Sequence, residues 1–252
     1  MSGRDAPADA FGRTAREYEL GRPDWPEELL DRVVAELQLG ADSAVLDLGA
    51  GTGKLTRALA PRFARVVAVE PDDAMRAVLE EVVPEAEARA GSAEAIPLGD
   101  EEIDSVFSAD AFHWFATRET VREIARVLRS RGAFVIFWNM PLDYEHMGDE
   151  AEAVIEAAFE RGGRPGMPRV LEGEWRRPLE GEAFGELREA AVERDVVSSR
   201  DEWIAFLLSV SSIAHQPDEE RTQLVRRLCR LVPADRPVRR RLRTVAHWTR
   251  LA

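Results

Sequence analysis

The sequence predicts an α/β fold: an open, doubly wound, mostly parallel sheet with helices on both faces. Three observations predict it. A short apolar run, Ala44 to Leu48, leads through three alternate glycines into a helical segment that starts at Lys54. Apolar runs and amphipathic segments then alternate as far as Trp138. An acid, Glu70, closes the second apolar run about 20 residues beyond the glycines, where such a sheet faces a ribose. Repeated strand–helix alternation is what parallel β–α–β units look like in sequence.

Residues 1–10 are small and polar and are expected to be a disordered tail. Residues 11–252 are expected to form a single domain. Phe11 to Tyr18 suits a short helix, and Gly21, Pro23 and Pro26 shape the loop after it. Pro26 then opens a helix to about Leu39, with Leu29, Leu30, Val33, Val34 and Leu37 on one face. Gly40 stops it.

Ala44 to Leu48 is the first strand, and Lys54 to Ala60 is a helix stopped by Pro61. Arg65 to Pro71 forms the second strand, with Glu70 at its end. A helix through Met75, Val78, Leu79 and Val82 ends before Pro84. Glu85 to Ala90 is a third strand, with the loop Gly91 to Leu98 behind it. Ile103 to Ser108 is a fourth strand, Thr117 to Leu128 a helix, and Ala133 to Trp138 a fifth strand. Beyond it, Asp149 to Arg161 is an acidic amphipathic helix and Gly162 to Pro178 an irregular loop. Ala190 to Val197 is a strand. Asp201 to Ile213 and Pro217 to Val232 are helices, and Arg239 to Thr249 is the final strand.

The chain has 252 residues, with 34 Lys and Arg against 47 Asp and Glu, a formal charge of −13. That balance disfavours a nucleic-acid partner. No apolar run reaches the roughly 18 residues of a membrane span, and the N-terminus lacks a signal-peptide core. The single cysteine, Cys229, sits between helical leucines and is expected to be a packed thiol. The expected location is the cytoplasm.

The glycine loop decides the ligand. A phosphate-binding P-loop needs Ser or Thr after Gly-Lys, but Leu55 follows Gly53-Lys54. A dinucleotide fingerprint from Gly49 and Gly51 would end at Lys54, where helix–strand packing needs Gly or Ala. What remains is acidic-x-Gly-x-Gly-x-Gly, beginning at Asp47. This resembles motif I of the class I S-adenosylmethionine (SAM)-dependent methyltransferases. Asp47 to Gly53, Glu70-Pro71, Gly91 to Leu98, Ala111 to Phe115 and Ile124 to Leu128 follow in that family's order. Together they are similar to its type 11, ubiquinone/menaquinone-methyltransferase-like members. Phe11, Tyr18, Arg22-Pro23 and Phe112 to Phe115 also look like the trans-aconitate methyltransferase-like branch.

The resemblance implies a Rossmann-like, seven-stranded sheet whose last strand is antiparallel. Residues 11–140 would be the cofactor-binding core. Residues 141–252 would add the final strands and a helical cap over the substrate crevice. The cofactor would be SAM, the product S-adenosylhomocysteine (SAH), with no metal. Gly49, Ala50, Gly51 and Gly53 would lie against SAM, with Asp47 near its methionine end. Glu70, followed by Pro71, would hold the ribose; the alternative is a helix-capping role. Ser92 and Ala93 would flank the adenine, Ser92 standing where many relatives carry Asp. Tyr18 could reach the SAM carboxylate.

His113 could take a proton from an acceptor; the alternative is a packed histidine bonded to a backbone carbonyl. Arg22, Trp114 and Trp203 are candidate substrate contacts, though surface solvation or core packing would also suit them. Arg239 to Arg241 with Arg243 reads as a basic strand end that offsets the acidic surface. The expected activity is methyl transfer to a small-molecule acceptor. An RNA- or protein-directed methyltransferase and a non-catalytic SAM-binding module stay open as alternatives.

Overall fold

The computed structural model describes residues 14–163, 170–181 and 183–252. The expected tail at 1–10 and the start of the first helix at Phe11 lie outside the described residues. The chain runs α1 (Ala15–Gly21), α2 (Glu27–Glu36), β1 (Ala44–Leu48), α3 (Lys54–Leu59), β2 (Arg65–Val69), α4 (Asp73–Val82), β3 (Glu87–Arg89) and β4 (Ile103–Ala109). A 3₁₀ turn (Phe112–Trp114), α5 (Arg118–Val127), β5 (Leu128–Tyr144), α6 (Asp149–Gly162) and a second 3₁₀ segment (Glu174–Leu179) follow. The remainder is β6 (Arg188–Ser198), α7 (Arg200–Ser209), α8 (Ser211–Ala214), α9 (Asp218–Leu231) and β7 (Val238–Arg250).

The seven strands form one sheet in the order β3-β2-β1-β4-β5-β7-β6. β1 to β5 pair in parallel, and β7 runs antiparallel to both β5 and β6. The central strand β1 is buried at all five positions, as a strand covered on both faces must be. Leu46, Leu48, Val67 and Val69 pack on one face with Val121 and Ile124 of α5. Val45, Val66 and Phe107 pack on the other with α2 and α3. The chain order reverses between β1 and β4, so their carboxyl ends open a crevice.

β5 and β7 run past the sheet as a long ribbon, paired as far as Tyr144 and Arg240. That ribbon carries a separate core made by α6, α7 and α9 with Val238. β5 is longer than the predicted Ala133–Trp138; a register shift near Pro141 accommodates the proline.

Three expectations need correction. Asp201 to Ile213 is two helices, because the chain turns extended at Val210. The stop is made by side chains. Ser209 Oγ donates to the Phe206 carbonyl at 2.7 Å, and Arg22 Nη2 donates to the Ser209 carbonyl at 3.1 Å. Cys229 is exposed, since the buried stripe of α9 runs through Arg221, Leu224 and Leu228. The arginine run alternates with the pleat: Arg239, Arg241 and Arg243 are exposed, whereas Arg240 is buried. Part of the predicted loop Gly162–Pro178 also proves ordered, with Trp175 only 2% exposed in the main core.

Candidate cofactor and acceptor site

The loop after β1 is built by three glycines with two different jobs. Gly49, Gly51 and Gly53 all adopt positive φ, at 72°, 58° and 86°. A Cβ on Gly49 would stand 2.9 Å from Ala111 and 3.1 Å from Phe115. One on Gly53 would stand 3.0 Å from Leu79. These two glycines allow close packing. Gly51 is different, because its nearest neighbour would be Tyr18 at 4.0 Å. Bare backbone therefore faces open space at the middle glycine.

Two buried carboxylates hold the loop. Asp47 Oδ2 accepts from Thr56 Oγ1 at 2.6 Å, while its Oδ1 has no partner among the described residues. Burial pushes the Asp47 carboxyl up to about 7, against the pull of the Thr56 bonds. Glu70 leaves the end of β2 and accepts the Gly51 N–H at 2.8 Å and the Asp72 N–H at 3.0 Å. Burial raises its carboxyl too, opposed by those two N–H groups. Capping of α4 falls to Asp72, whose Oδ1 accepts the Met75 N–H at 2.8 Å. Glu70 is thus not the cap. It ties the first loop to the second strand, as an acid placed for a ribose would.

α1 roofs this loop. Its Glu19 accepts from Thr52 Oγ1 and from Arg57 Nη2, both at 2.7 Å. Its last residue, Gly21, touches α7 so closely that a Cβ there would fall 2.0 Å from the Phe206 nitrogen. The Arg22 guanidinium lies 5.0 Å from the centre of the Tyr18 ring, and burial pushes the phenol up to about 12, against the pull of Arg22.

Beside the loop lies a cavity of about 940 Å³. Its wall brings together Tyr18, Arg22, Asp47, Gly49, Ala50, His113, Trp114 and Trp203 from the predicted residues. Gly51, Gly53, Glu70, Pro71, Ser92 and Ala93 stand outside that wall, around the ends of β1, β2 and β3. Ser92 pairs with Ala95 in an isolated bridge, and Ala93 is buried in the core. His113 sits in the 3₁₀ turn with its ring 4.6 Å from Trp114 and 5.4 Å from Trp138. Trp203 is 3% exposed and belongs to the cap core while lining the cavity.

The wall also holds residues beyond the predicted site set. Asp110 follows β4 with φ of 50°, an uncommon backbone for a non-glycine residue, and its Oδ1 accepts the Asn139 N–H at 3.0 Å. Burial raises its carboxyl, countered by Arg22 and Asn139. The position at the carboxyl end of a central strand was the available signal. Trp138 had no such signal, because only the folded chain brings it to the cavity. Among the described residues, no group of three His, Cys, Asp or Glu is placed to hold a metal ion. No helix among them is long and apolar enough to cross a membrane.

Comparison with known proteins agrees with this geometry. Residues 46–136 match a family described as methyltransferase domain. Over 215 residues the sequence is 34% identical to an uncharacterized methyltransferase-like protein of Schizosaccharomyces pombe, covering 85% of this chain and 82% of that one. It is 44% identical over 130 residues to an uncharacterized methyltransferase of Mycobacterium tuberculosis, covering 52% of each. Among solved structures, a candidate type II methyltransferase of Anaeromyxobacter dehalogenans aligns with a TM-score of 0.62 and 22% identity, over 91% of this chain and 97% of that one. The YcgJ protein of Bacillus subtilis aligns with a TM-score of 0.54 and 18% identity, over 88% and 97%. These two structural likenesses concern the fold.

Proposed function

The chain belongs to the class I SAM-dependent methyltransferases, and we propose that it methylates a small-molecule acceptor seated beside the glycine loop and releases SAH. One observation carries this reading. Asp47, Gly49 and Ala50 of the cofactor loop share a wall with Trp114 and Trp203 around a cavity of about 940 Å³. That volume suits a cofactor tail and a small ligand.

The residues fit the cofactor on physical grounds. Asp47 keeps a buried oxygen without a partner, which suits an ammonium group. Gly51 leaves its backbone bare. Glu70 is fixed by two N–H groups, and its remaining lone pairs suit ribose hydroxyls. Ser92 and Ala93 would flank the adenine, and Tyr18 would meet the carboxylate end. When bound, SAM supplies a methyl group already activated by the sulfonium.

The protein's part is then orientation and exclusion of water. Holding two reactants in line can supply about 7–11 kcal/mol of a barrier. α1 covers the loop from above, and Trp114 and Trp203 offer flat apolar surface to the acceptor. His113 is assigned to accept a proton at an imidazole nitrogen when the acceptor is a hydroxyl or an amine. Arg22 is assigned to the acceptor end. Trp175 of the second 3₁₀ segment packs behind the wall, its ring 5.7 Å from that of Trp138.

A screen with methyl-labelled SAM over small carboxylates, phenols, quinones and amines tests this. Transfer to one class, reduced in His113→Ala for protonated acceptors, is the expected result. Labelling of RNA or protein with none of the small molecules would overturn the small-acceptor assignment.

A further inference from the structure

Two of the five arginines of β7 are matched by acids. Arg241 and Arg243 pair with Glu193 and Glu189 at 3.0 and 3.5 Å. Arg240, between them, is 2% exposed, and among the described residues no carboxylate lies within ion-pair distance of it. Its Nε and Nη1 have no hydrogen-bond partner there, and Nη2 reaches only Ser198 Oγ, at 3.3 Å. Burial lowers the guanidinium to about 10, which leaves it cationic at neutral pH.

Its surroundings relate it to the cavity. Val238 and Leu242, two residues away on either side and on the same face of the strand, both line the cavity. The Arg240 guanidinium lies 4.1 Å from the centre of the Phe206 ring, and Phe206 also lines the cavity. Arg22 approaches the same ring at 5.4 Å. Its Nε and Nη2 are taken by Ser209, and it too has no acid within ion-pair distance among the described residues. Arg194 adds like charge near Arg240, while Tyr144 and Glu202 are the groups that oppose it. A buried cation without a partner is costly, all the more beside others of its own sign. In a chain of formal charge −13, such a concentration is not a surface average.

We propose that Arg22 and Arg240, which both approach the Phe206 ring, form an anion-reading wall, so that the methyl acceptor carries a carboxylate or another small oxyanion that docks against it. The inference rests on the acceptor occupying this cavity. Arg22 is the contacting residue, and Arg240 is a positioning residue that acts through the ring. Other lining charges sharpen the orientation. Asp47 and Asp110 stand at the cofactor side with Lys54, Glu145 is paired with Arg236 at 3.3 Å, Glu152 accepts the Met147 N–H at 2.8 Å, and Glu156 and Glu160 are exposed lining residues of α6. An anion is repelled from those places and held at one wall.

Calorimetry on the full chain saturated with SAH tests this with four probes: benzoate, benzamide, benzylamine and inorganic phosphate. Benzoate and benzamide share a shape and differ in charge. The expected result is benzoate binding at least about tenfold tighter than benzamide. Phosphate binding in place of benzoate would assign the oxyanion to a phosphate. Arg240→Met should collapse the benzoate preference to below about threefold with SAH affinity unchanged, and Arg240→Lys should restore most of it. If Arg240→Met does not fold, Arg22→Gln must show the same collapse. Equal binding of benzoate and benzamide, a preference for benzylamine, or an unchanged preference in the variants would overturn the proposal. Failure of SAH itself to bind would instead sink the methyltransferase site.

Discussion

The two sides of the cavity are built on opposite plans. On the cofactor side, the bonds of the three acids join residues close in sequence or on neighbouring strands: Asp47 with Thr56, Glu70 with Gly51 and Asp72, Asp72 with Met75. On the acceptor side the contacts are distant. Arg22 bonds Ser209 across 187 positions, Gly21 packs on Phe206, and Arg194 Nη2 donates to the Asp24 carbonyl. The first plan gives a fixed frame that any member of the fold can reuse. The second lets remote segments define the wall against which an acceptor lies.

The comparison breaks most visibly at Gly21. Any side chain there must push α1 away from the α7 backbone, since a Cβ would lie 2.0 Å from the Phe206 nitrogen. Gly21→Ala is expected to cost about 3 kcal/mol in denaturant unfolding and to loosen the roof over the cofactor loop. An unchanged midpoint would show that α1 is not fixed to the acceptor side.

Asp47→Asn sharpens the contrast on the other side. SAH affinity should fall by roughly 2–3 kcal/mol, about 30- to 150-fold. Stability without ligand should move the other way. Burial raises the Asp47 carboxyl from an ordinary 3.8 to about 7, so the folded chain keeps a proton that the unfolded chain releases. Stability then falls as pH rises from about 4 to about 7 and is flat above, a loss on the order of 4 kcal/mol at most. The Asn variant lacks that decline. Its Tm should exceed that of the wild type at about pH 8 and match it near pH 4; a lower Tm at the higher pH would contradict the role given to burial.

Glu70→Ala should weaken SAH binding by about 2 kcal/mol, because the Gly51 and Asp72 N–H groups lose their acceptor along with the ribose. Glu70→Gln should lose less. Equal affinity in the alanine variant would remove the ribose assignment. The smallest effect is expected at Cys229: exposed on α9, it should react with a thiol reagent in the native state, and Cys229→Ser should shift stability by less than about 0.5 kcal/mol.

The same contrast explains what was legible in the sequence. The succession of strands and helices was legible in local periodicity, because β1 and β2 are short apolar runs and the flanking helices carry apolar stripes. Asp47, the glycines and Glu70 stood out because their chemistry needs fixed short spacings. Trp175 in a predicted loop, the break at Val210 and the burial of Arg240 were not legible. Each depends on a partner far along the chain: the main core for Trp175, Arg22 for the helix stop, Phe206 for Arg240. Cys229 erred for a simpler reason. Leucine neighbours suggested burial, but the helix turns that position outward.

The central claim is that the loop of Gly49, Gly51 and Gly53, with Asp47 and Glu70, holds the nucleoside and amino-acid ends of SAM. Calorimetric titration of SAH into the wild-type chain, with Glu70→Ala and Asp47→Asn alongside, tests it most directly. One SAH bound per chain, weakened in both variants, is the predicted result. No heat of binding and no rise in Tm at saturating SAH, or equal affinity in all three proteins, would contradict it.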